Sequence, residues 1–98
     1  MLRISITESV NDTATLRLEG HIAGAWIAEL GEACERLLQS GCKVRLDLAD
    51  VSLIERAGFD LLASLSHRAV ALVRCSPFQE EQLRQAIVAH SENRTTTP

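Results

Sequence analysis

Apolar and polar residues alternate with a period of two in three segments of the first half of the chain. These segments cover residues 2–7, 15–19 and 43–48. Such alternation predicts β-strands that each have one buried face and one solvent-exposed face. The Asn11-Asp12 pair between the first two segments favours a tight hairpin turn. A fourth and more uniformly apolar strand is predicted over residues 69–75.

Apolar residues with helical spacing separate the later strands. Residues 24–40 place Leu30 and Cys34 on one face and charged residues on the other, which predicts an amphipathic helix. Gly41 follows at the position that commonly terminates a helix. A second and shorter helix is predicted from about residue 57 to residue 66.

The final helix carries a capping box at its start. Ser76 is the predicted N-cap, Pro77 the first helical residue and Gln79 the partner that completes the box. Apolar residues then recur at helical spacing, which predicts a buried stripe. The predicted stripe consists of Phe78, Leu83, Ala86 and Ile87.

The predicted order of elements is ββαβαβα. Doubly wound sheets are covered on both faces, so their parallel strands are continuous apolar runs, whereas two strands here alternate. Right-handed crossovers taken in the same direction place every helix on one face of the sheet. The sequence therefore predicts an α/β two-layer sandwich, in which a mixed four-stranded sheet carries its helices on one face. We expect a single domain over residues 1–90 and a flexible C-terminal tail over residues 91–98.

Composition and charge are those of an ordinary globular domain. The chain of 98 residues is 46% hydrophobic and 23% charged, with a net charge of -3. This balance argues against nucleic-acid binding, and the absence of a long apolar run argues against direct membrane insertion. Cys34, Cys42 and Cys75 lack metal-ligand spacing, so they are predicted to be reduced, mostly buried thiols of a cytoplasmic protein.

The loops that leave the carboxyl ends of parallel strands share one edge of an open α/β sheet. Three predicted helix starts should therefore gather at that edge. They bring together Trp26, the Glu55-Arg56 pair and Phe78. Free N–H groups and the helix dipole favour negative charge in the first turn of a helix, so the cation Arg56 is locally unfavourable there. We therefore predict that this edge is a partner-binding surface.

Two of these residues also have a purely structural interpretation. Arg56 can pair with Glu55, Asp60 or water on the surface, at little gain in stability. Trp26 lies beside the apolar stripe of its helix and can pack at the edge of the helix layer. Both interpretations stay open at the level of the sequence.

The sequence offers little catalytic or metal-binding chemistry. His21, His67 and His90 are widely spaced and share no helix face, so they do not indicate a metal site. No Ser or Cys has a partner His at a recognised motif spacing, and no Gly-rich loop resembles a phosphate cradle. The sequence thus predicts no metal, no cofactor and no enzymatic activity.

The stretch VRLDLADVSLIERAGFDLL, the order of elements and the Gly20 after the second strand together resemble the STAS domain (sulphate transporter and anti-sigma factor antagonist). The resemblance runs from about Leu2 to Val88. The family's usual pattern is a strand ending Asp-Leu-Ser, then Val-x-Phe-Ile-Asp-Ser-Ser-Gly-Leu opening a helix. The matching positions are Asp47, Leu48, Val51, Ile54 and Gly58, whereas Glu55, Arg56, Ala57 and Phe59 replace the family's Asp, Ser, Ser and Leu.

In that family, a partner kinase phosphorylates the first Ser of the motif, and the phosphate switches off binding to that partner, an anti-sigma factor. Arg56 occupies this position and cannot accept a phosphate, so the resemblance implies a variant without the usual switch. Ser52, Ser64 and Ser66 retain hydroxyls but do not occupy the family position. The second helix is also shorter than is usual in the family, which makes this a compact variant.

The resemblance implies a non-enzymatic protein-interaction module, similar to an anti-sigma factor antagonist, with an anti-sigma factor or kinase-like partner. Stand-alone STAS-like proteins also serve as cytoplasmic accessory subunits of lipid-transporting ABC complexes, and this alternative stays open. A nucleotide- or lipid-binding domain is a further alternative. A homodimer through the exposed sheet face or an edge strand is also compatible with the pattern.

Overall fold

The architecture follows the predicted order of elements. The structure, a computed structural model, describes the backbone of residues 1–95 and the side chains of residues 1–89. The elements are β1 (Leu2–Val10), β2 (Thr13–Ile22), α1 (Ala25–Gln39), β3 (Lys43–Ile54), α2 (Arg56–Ser66), β4 (Val70–Val73) and α3 (Pro77–Thr95). The predicted domain boundary at residue 90 falls within α3. The tail over residues 91–98 stays a prediction, because its side chains lie outside the described residues.

The four strands form one mixed sheet in the order β1-β2-β3-β4. β1 pairs antiparallel with β2, and β2, β3 and β4 run parallel to one another. Val10 pairs with Thr13 across a turn of Asn11 and Asp12, which both have positive φ angles. This turn is the tight hairpin that the Asn-Asp pair predicts, because both residue types tolerate the left-handed conformation.

A hydrophobic core lies between the sheet and the helices. Alternate strand residues such as Leu16 and Leu46 are no more than 1% exposed. Leu30 of α1, Leu62 of α2 and Leu83 of α3 belong to the same core. The other face of the sheet carries polar and charged residues, so the described helices cover one face, and the predicted two-layer α/β sandwich is confirmed.

The predicted signals at two helix ends are in place. After α1, the Gly41 N–H donates to the Leu38 carbonyl oxygen at 3.1 Å and satisfies one of the last carbonyls of the helix. Before α3, the Ser76 N–H donates to Gln79 Oε1, and the Gln79 N–H donates to Ser76 Oγ, each at 3.2 Å. These reciprocal bonds are the capping box that the sequence predicts.

β3 is longer than its alternation predicts and continues to Ile54. Two shifts in its register against β2 each insert one additional residue into β3. Each shift turns the residues that follow it to the opposite face of the sheet. Leu48, Val51 and Ile54 are therefore all buried, although each lies three residues from the next and not two. Leu53 pairs with the exposed His21 and is exposed itself.

The predicted buried stripe of α3 is wrong at Phe78. Leu83 is 8% exposed, and Ala86 and Ile87 pack against the core, but Phe78 is 71% exposed. Phe78 lies five residues before Leu83, and five residues correspond to a net rotation of about 140° around the helix axis. The two side chains therefore point in different directions, and Phe78 faces water.

Gly58 packs so closely on the sheet that we expect a larger residue there to destabilise the fold. A Cβ atom at Gly58 would lie 3.0 Å from the Cγ2 atoms of Ile22 and Ile54. Gly58→Ala should lower the free energy of unfolding, measured by chemical denaturation, by about 1–3 kcal/mol. Gly31→Ala is the matched control, since its Cβ would meet only Leu61 at 3.5 Å, and it should be neutral or stabilise by about 0.5–1 kcal/mol. Equal effects of the two substitutions would contradict this account of α2 packing.

Candidate functional site

The starts of α1 and α2 meet at one edge of the sheet. The backbone N–H of Gly24, just before α1, donates to Glu55 Oε1 at 2.8 Å. The Glu55 N–H, just before α2, donates to the Ile22 carbonyl oxygen at 3.0 Å. These bonds join the loop between β2 and α1 to the loop between β3 and α2. Trp26 and Arg56, in the first turns of the two helices, therefore lie at the same edge.

The start of α3 is attached to the same edge. Gln79 Nε2 donates to the carbonyl oxygen of Val51, near the end of β3, at 2.9 Å. Arg56 and Phe78 line one groove of about 710 Å³ between α2 and α3. Other residues that line this groove are Leu53, Phe59, Gln82 and Gln85.

Four of the seven exposed large apolar side chains of the described residues lie at this edge, whereas Ile6, Val10 and Val88 lie elsewhere. Met1 is 84% exposed, Leu53 49%, Phe78 71% and Trp26 37%. Met1 belongs to the edge because its carbonyl oxygen accepts a hydrogen bond from the N–H of His21, at the end of β2, at 2.8 Å. Apolar exposure grouped in this way is typical of an interaction surface. The surface formed by Met1, Trp26, Leu53, Glu55, Arg56 and Phe78 is called the rim below.

Arg56 is the unpaired charge of the rim. It forms no ion pair with any described residue, so the surface pair with Glu55 or Asp60 that the sequence left open is not formed. The Glu55 carboxylate is bound instead to the Gly24 N–H. An acidic group from outside would compensate the unfavourable position of Arg56 at the positive end of the α2 dipole.

The open face of the sheet differs from the rim in that several of its charged groups are paired with one another, although Arg45 on this face forms no ion pair with a described residue. Arg17 Nε donates to Asp50 at 2.9 Å, and the Arg74 guanidinium donates to both carboxylate oxygens of Asp47 at 2.6–3.1 Å. Hydrogen bonding from Arg74 lowers the pKa of Asp47 below its ordinary value. These pairs neutralise each other and keep the face hydrated. A homodimer through this face or through an edge strand stays a prediction.

The structure brings the predicted partner-binding residues to one edge and adds two that sequence reasoning misses. The predicted residues are Trp26, Glu55, Arg56 and Phe78, and the added residues are Met1 and Leu53. Antiparallel pairing with β2 returns Met1 to this edge, which depends on the register of the hairpin. The register shifts of β3 turn Leu53 outward. A signal was present in the adjacent pair Leu53-Ile54, because successive residues of a strand cannot both face one core. The partner-binding role of all these residues stays a prediction.

Other chemistry is sparse in the described part of the chain. No group of three or more His, Cys, Asp or Glu side chains there could hold a metal ion. Among the same residues, no helix is long and apolar enough to cross a membrane. Cys34, Cys42 and Cys75 are free thiols, and burial raises the pKa of Cys34 to about 11, which keeps that thiol protonated and unreactive at neutral pH.

Comparison with known proteins finds no family model and no curated sequence that matches this chain. Among solved structures, the anti-sigma factor antagonist SpoIIAA in its unphosphorylated form is similar with a TM-score of 0.69 and 13% identity, over 81% of this chain and 79% of that chain. The crystal structure of Mglu is similar with a TM-score of 0.61 and 23% identity, over 76% of this chain and 20% of that chain. An uncharacterised protein of the DUF3478 family with a SpoIIAA-like fold, from Shewanella loihica PV-4, gives a TM-score of 0.47 and 21% identity, over 87% of this chain and 76% of that chain.

The similarity to SpoIIAA establishes the fold. The chain and SpoIIAA share a mixed sheet with helices over most of both lengths at low sequence identity. The STAS-like fold that the sequence predicts is thereby confirmed. Mglu shares it over a part of its chain, since this protein spans only 20% of the length of Mglu.

Phe78 should contribute little to stability, because its side chain faces water. Phe78→Ala should change the free energy of unfolding by no more than about 0.5 kcal/mol in chemical denaturation. Leu83→Ala, on the same helix, is the matched comparison, and it should cost about 2–5 kcal/mol because Leu83 is buried in the core. A cost at Phe78 as large as that at Leu83 would show that Phe78 serves the core rather than the rim.

Arg74→Ala should destabilise the protein only where Asp47 is ionised. The pKa of Asp47 is lowered in the folded state, so the Arg74–Asp47 pair adds to the free energy of unfolding when Asp47 is ionised. This contribution is fully present above the ordinary Asp pKa of about 3.9, and it is lost as the pH falls through the lowered pKa. At neutral pH the free energy of unfolding of Arg74→Ala should be slightly lower than that of wild type, since Arg74 is largely exposed, and the two values should converge as acid protonates Asp47. Arg45→Ala, at an exposed position of the same face, is the control. If Arg74→Ala and wild type differed in stability as much in acid as at neutral pH, the stabilising role of the Arg74–Asp47 pair would be contradicted.

Proposed function

We propose that this protein is a non-enzymatic interaction module of the cytoplasm, which acts like an anti-sigma factor antagonist and binds its partner through the rim. The observation that carries the proposal is the unpaired Arg56 beside the exposed side chains of Phe78 and Leu53. Arg and aromatic side chains supply much of the binding free energy at many protein interfaces. The fold shared with the anti-sigma factor antagonist SpoIIAA supports this class of function.

The partner should present an acidic side chain flanked by apolar ones. A carboxylate can form two parallel hydrogen bonds with the guanidinium of Arg56 and neutralise it at the start of α2. Phe78 and Leu53 line the same groove as Arg56. Apolar partner residues that cover them would exclude water from the charged contact and strengthen it.

A phosphate at the start of α2 does not control binding in this proposal. Arg56 takes the position at which the resemblance to STAS domains places a phosphorylated serine, and its guanidinium carries a permanent positive charge. The protein would therefore bind its partner constitutively or respond to a different input.

Two other functions are separate outcomes of the test. As an accessory subunit of a lipid-transporting ABC complex, the protein would bind a transporter subunit in place of an anti-sigma factor or kinase-like protein. As a nucleotide- or lipid-binding domain, it would show a higher melting temperature in the presence of such a ligand.

Arg56→Glu should abolish partner binding without lowering the melting temperature. The substitution reverses the charge that meets the partner, while an acid in the first turn of a helix is locally favourable. Affinity capture from the native cell compares wild type with Arg56→Glu and with the matched control Arg45→Glu, which lies exposed on the open face of the sheet. We expect Arg56→Glu to retain less than about a tenth of the partner that wild type retains, and Arg45→Glu to retain all of it.

The identity of the captured protein separates the functional classes. An anti-sigma factor or kinase-like protein supports the proposal, and a transporter subunit supports the accessory-subunit alternative. Arg56→Ser restores a hydroxyl at the α2 start, and its phosphorylation by a captured kinase, read as an intact-mass shift, would show that the partner still recognises this loop. Normal binding of Arg56→Glu to the captured partner would refute the role of the rim.

A further inference from the structure

The start of α1 lacks the side chains that normally cap a helix. Its N-cap is Gly24, which has no side chain to accept a hydrogen bond, and its third helical residue is Ile27. A Ser or Thr at the N-cap and a Glu or Gln at the third position would otherwise satisfy the free N–H groups reciprocally. α3 has this local arrangement in Ser76 and Gln79, whereas α1 has none.

Glu55 supplies half of the missing cap from a different loop. Its Oε1 atom accepts the 2.8 Å hydrogen bond from the Gly24 N–H across a sequence separation of 31 residues. In a local capping box, the Glu or Gln side chain accepts from this same N-cap N–H. The Glu55 carboxylate also brings negative charge to the start of α1, whose own first turn contains no acidic residue.

Gly24 depends on this outside support because its own conformation is poorly determined by its sequence. Its φ and ψ angles are 59° and -138°, a combination that residues with a side chain avoid. Glycine has many alternative conformations of similar energy, so the residue itself does not select this one. The Glu55 hydrogen bond favours this conformation, together with the bond from the Ile27 N–H to the Gly24 carbonyl oxygen at 3.2 Å.

We infer that Glu55 is a positioning residue, whose carboxylate holds the first turn of α1 against the start of α2 and thereby sets the place of Trp26 relative to Arg56. The inference rests on the proposed function, because these two residues are the rim groups that would meet the partner. Glu55 thus serves binding through the loop that it holds and not by pairing with its neighbour Arg56. Holding the rim in one arrangement before binding lowers the entropy that is lost when the partner docks.

Two measurements on the protein alone test this role. Glu55→Ala removes the acceptor, and the exchange rate of the Gly24 amide, measured by NMR, should rise by about fivefold to tenfold. Trp26 is the only Trp of the chain, so acrylamide quenching of its fluorescence should increase in the same variant. Glu55→Gln keeps an acceptor oxygen at the same reach and should restore both values to those of wild type. Glu32→Ala is the control, because Glu32 is exposed on α1 and forms no hydrogen bond with another described residue.

The outcomes separate this inference from the proposed function. Unchanged Gly24 exchange and unchanged Trp26 quenching in Glu55→Ala would overturn the positioning role and leave the proposed function untouched. Failure of Glu55→Gln to restore the wild-type values would also overturn it, since the hydrogen bond would not be the operative contact. If both measurements change as expected while Arg56→Glu binds its partner normally, the positioning role stands and the rim is refuted as the binding surface.

Discussion

Burial of one face of the sheet fixes where the helices and their starts lie in this protein. Alternation along the strands leaves one face apolar, and the described helices pack on that face. Because β2, β3 and β4 are parallel, each is followed by a helix on the same side, and the helix starts meet at one edge. The packing is tight at this edge, where a Cβ atom on Gly58 would press on Ile22 and Ile54.

Charge is arranged differently on the two surfaces that this packing leaves in water. On the open face, Arg74 binds both oxygens of Asp47, so the charges compensate each other within the chain. At the rim, Glu55 is engaged by the backbone N–H of Gly24, and its neighbour Arg56 has no ion-pair partner among the described residues. An acidic group that approaches Arg17 or Arg74 on the open face must compete with an existing partner, whereas at the rim it meets Arg56, which has no ion-pair partner among the described residues, at a helix start.

The comparison with SpoIIAA shows that the fold persists at low sequence identity. At 13% identity the arrangement of strands and helices persists, because many combinations of apolar residues can fill the same core. A change of residue at the start of α2 has a different consequence, since the charge there affects which groups can approach it. A phosphate there would add about two negative charges on demand. Arg56 instead holds one positive charge permanently, and in the proposed function this charge favours an acidic partner.

The sequence predicts the order of elements, the hairpin turn and the capping box of α3, because each depends on neighbouring residues or on a regular period. It also predicts that Arg56 and Phe78 lie at the same edge, since the order of parallel strands dictates where their loops meet. The predicted stripe of α3 is wrong at Phe78, because apolar character alone does not indicate burial. The exposure of Leu53 and the hydrogen bond from Gly24 to Glu55 become visible only when the elements are packed together. Strand register and contacts between distant loops depend on how the strands and helices pack against one another. Local periodicity in the sequence does not encode this packing.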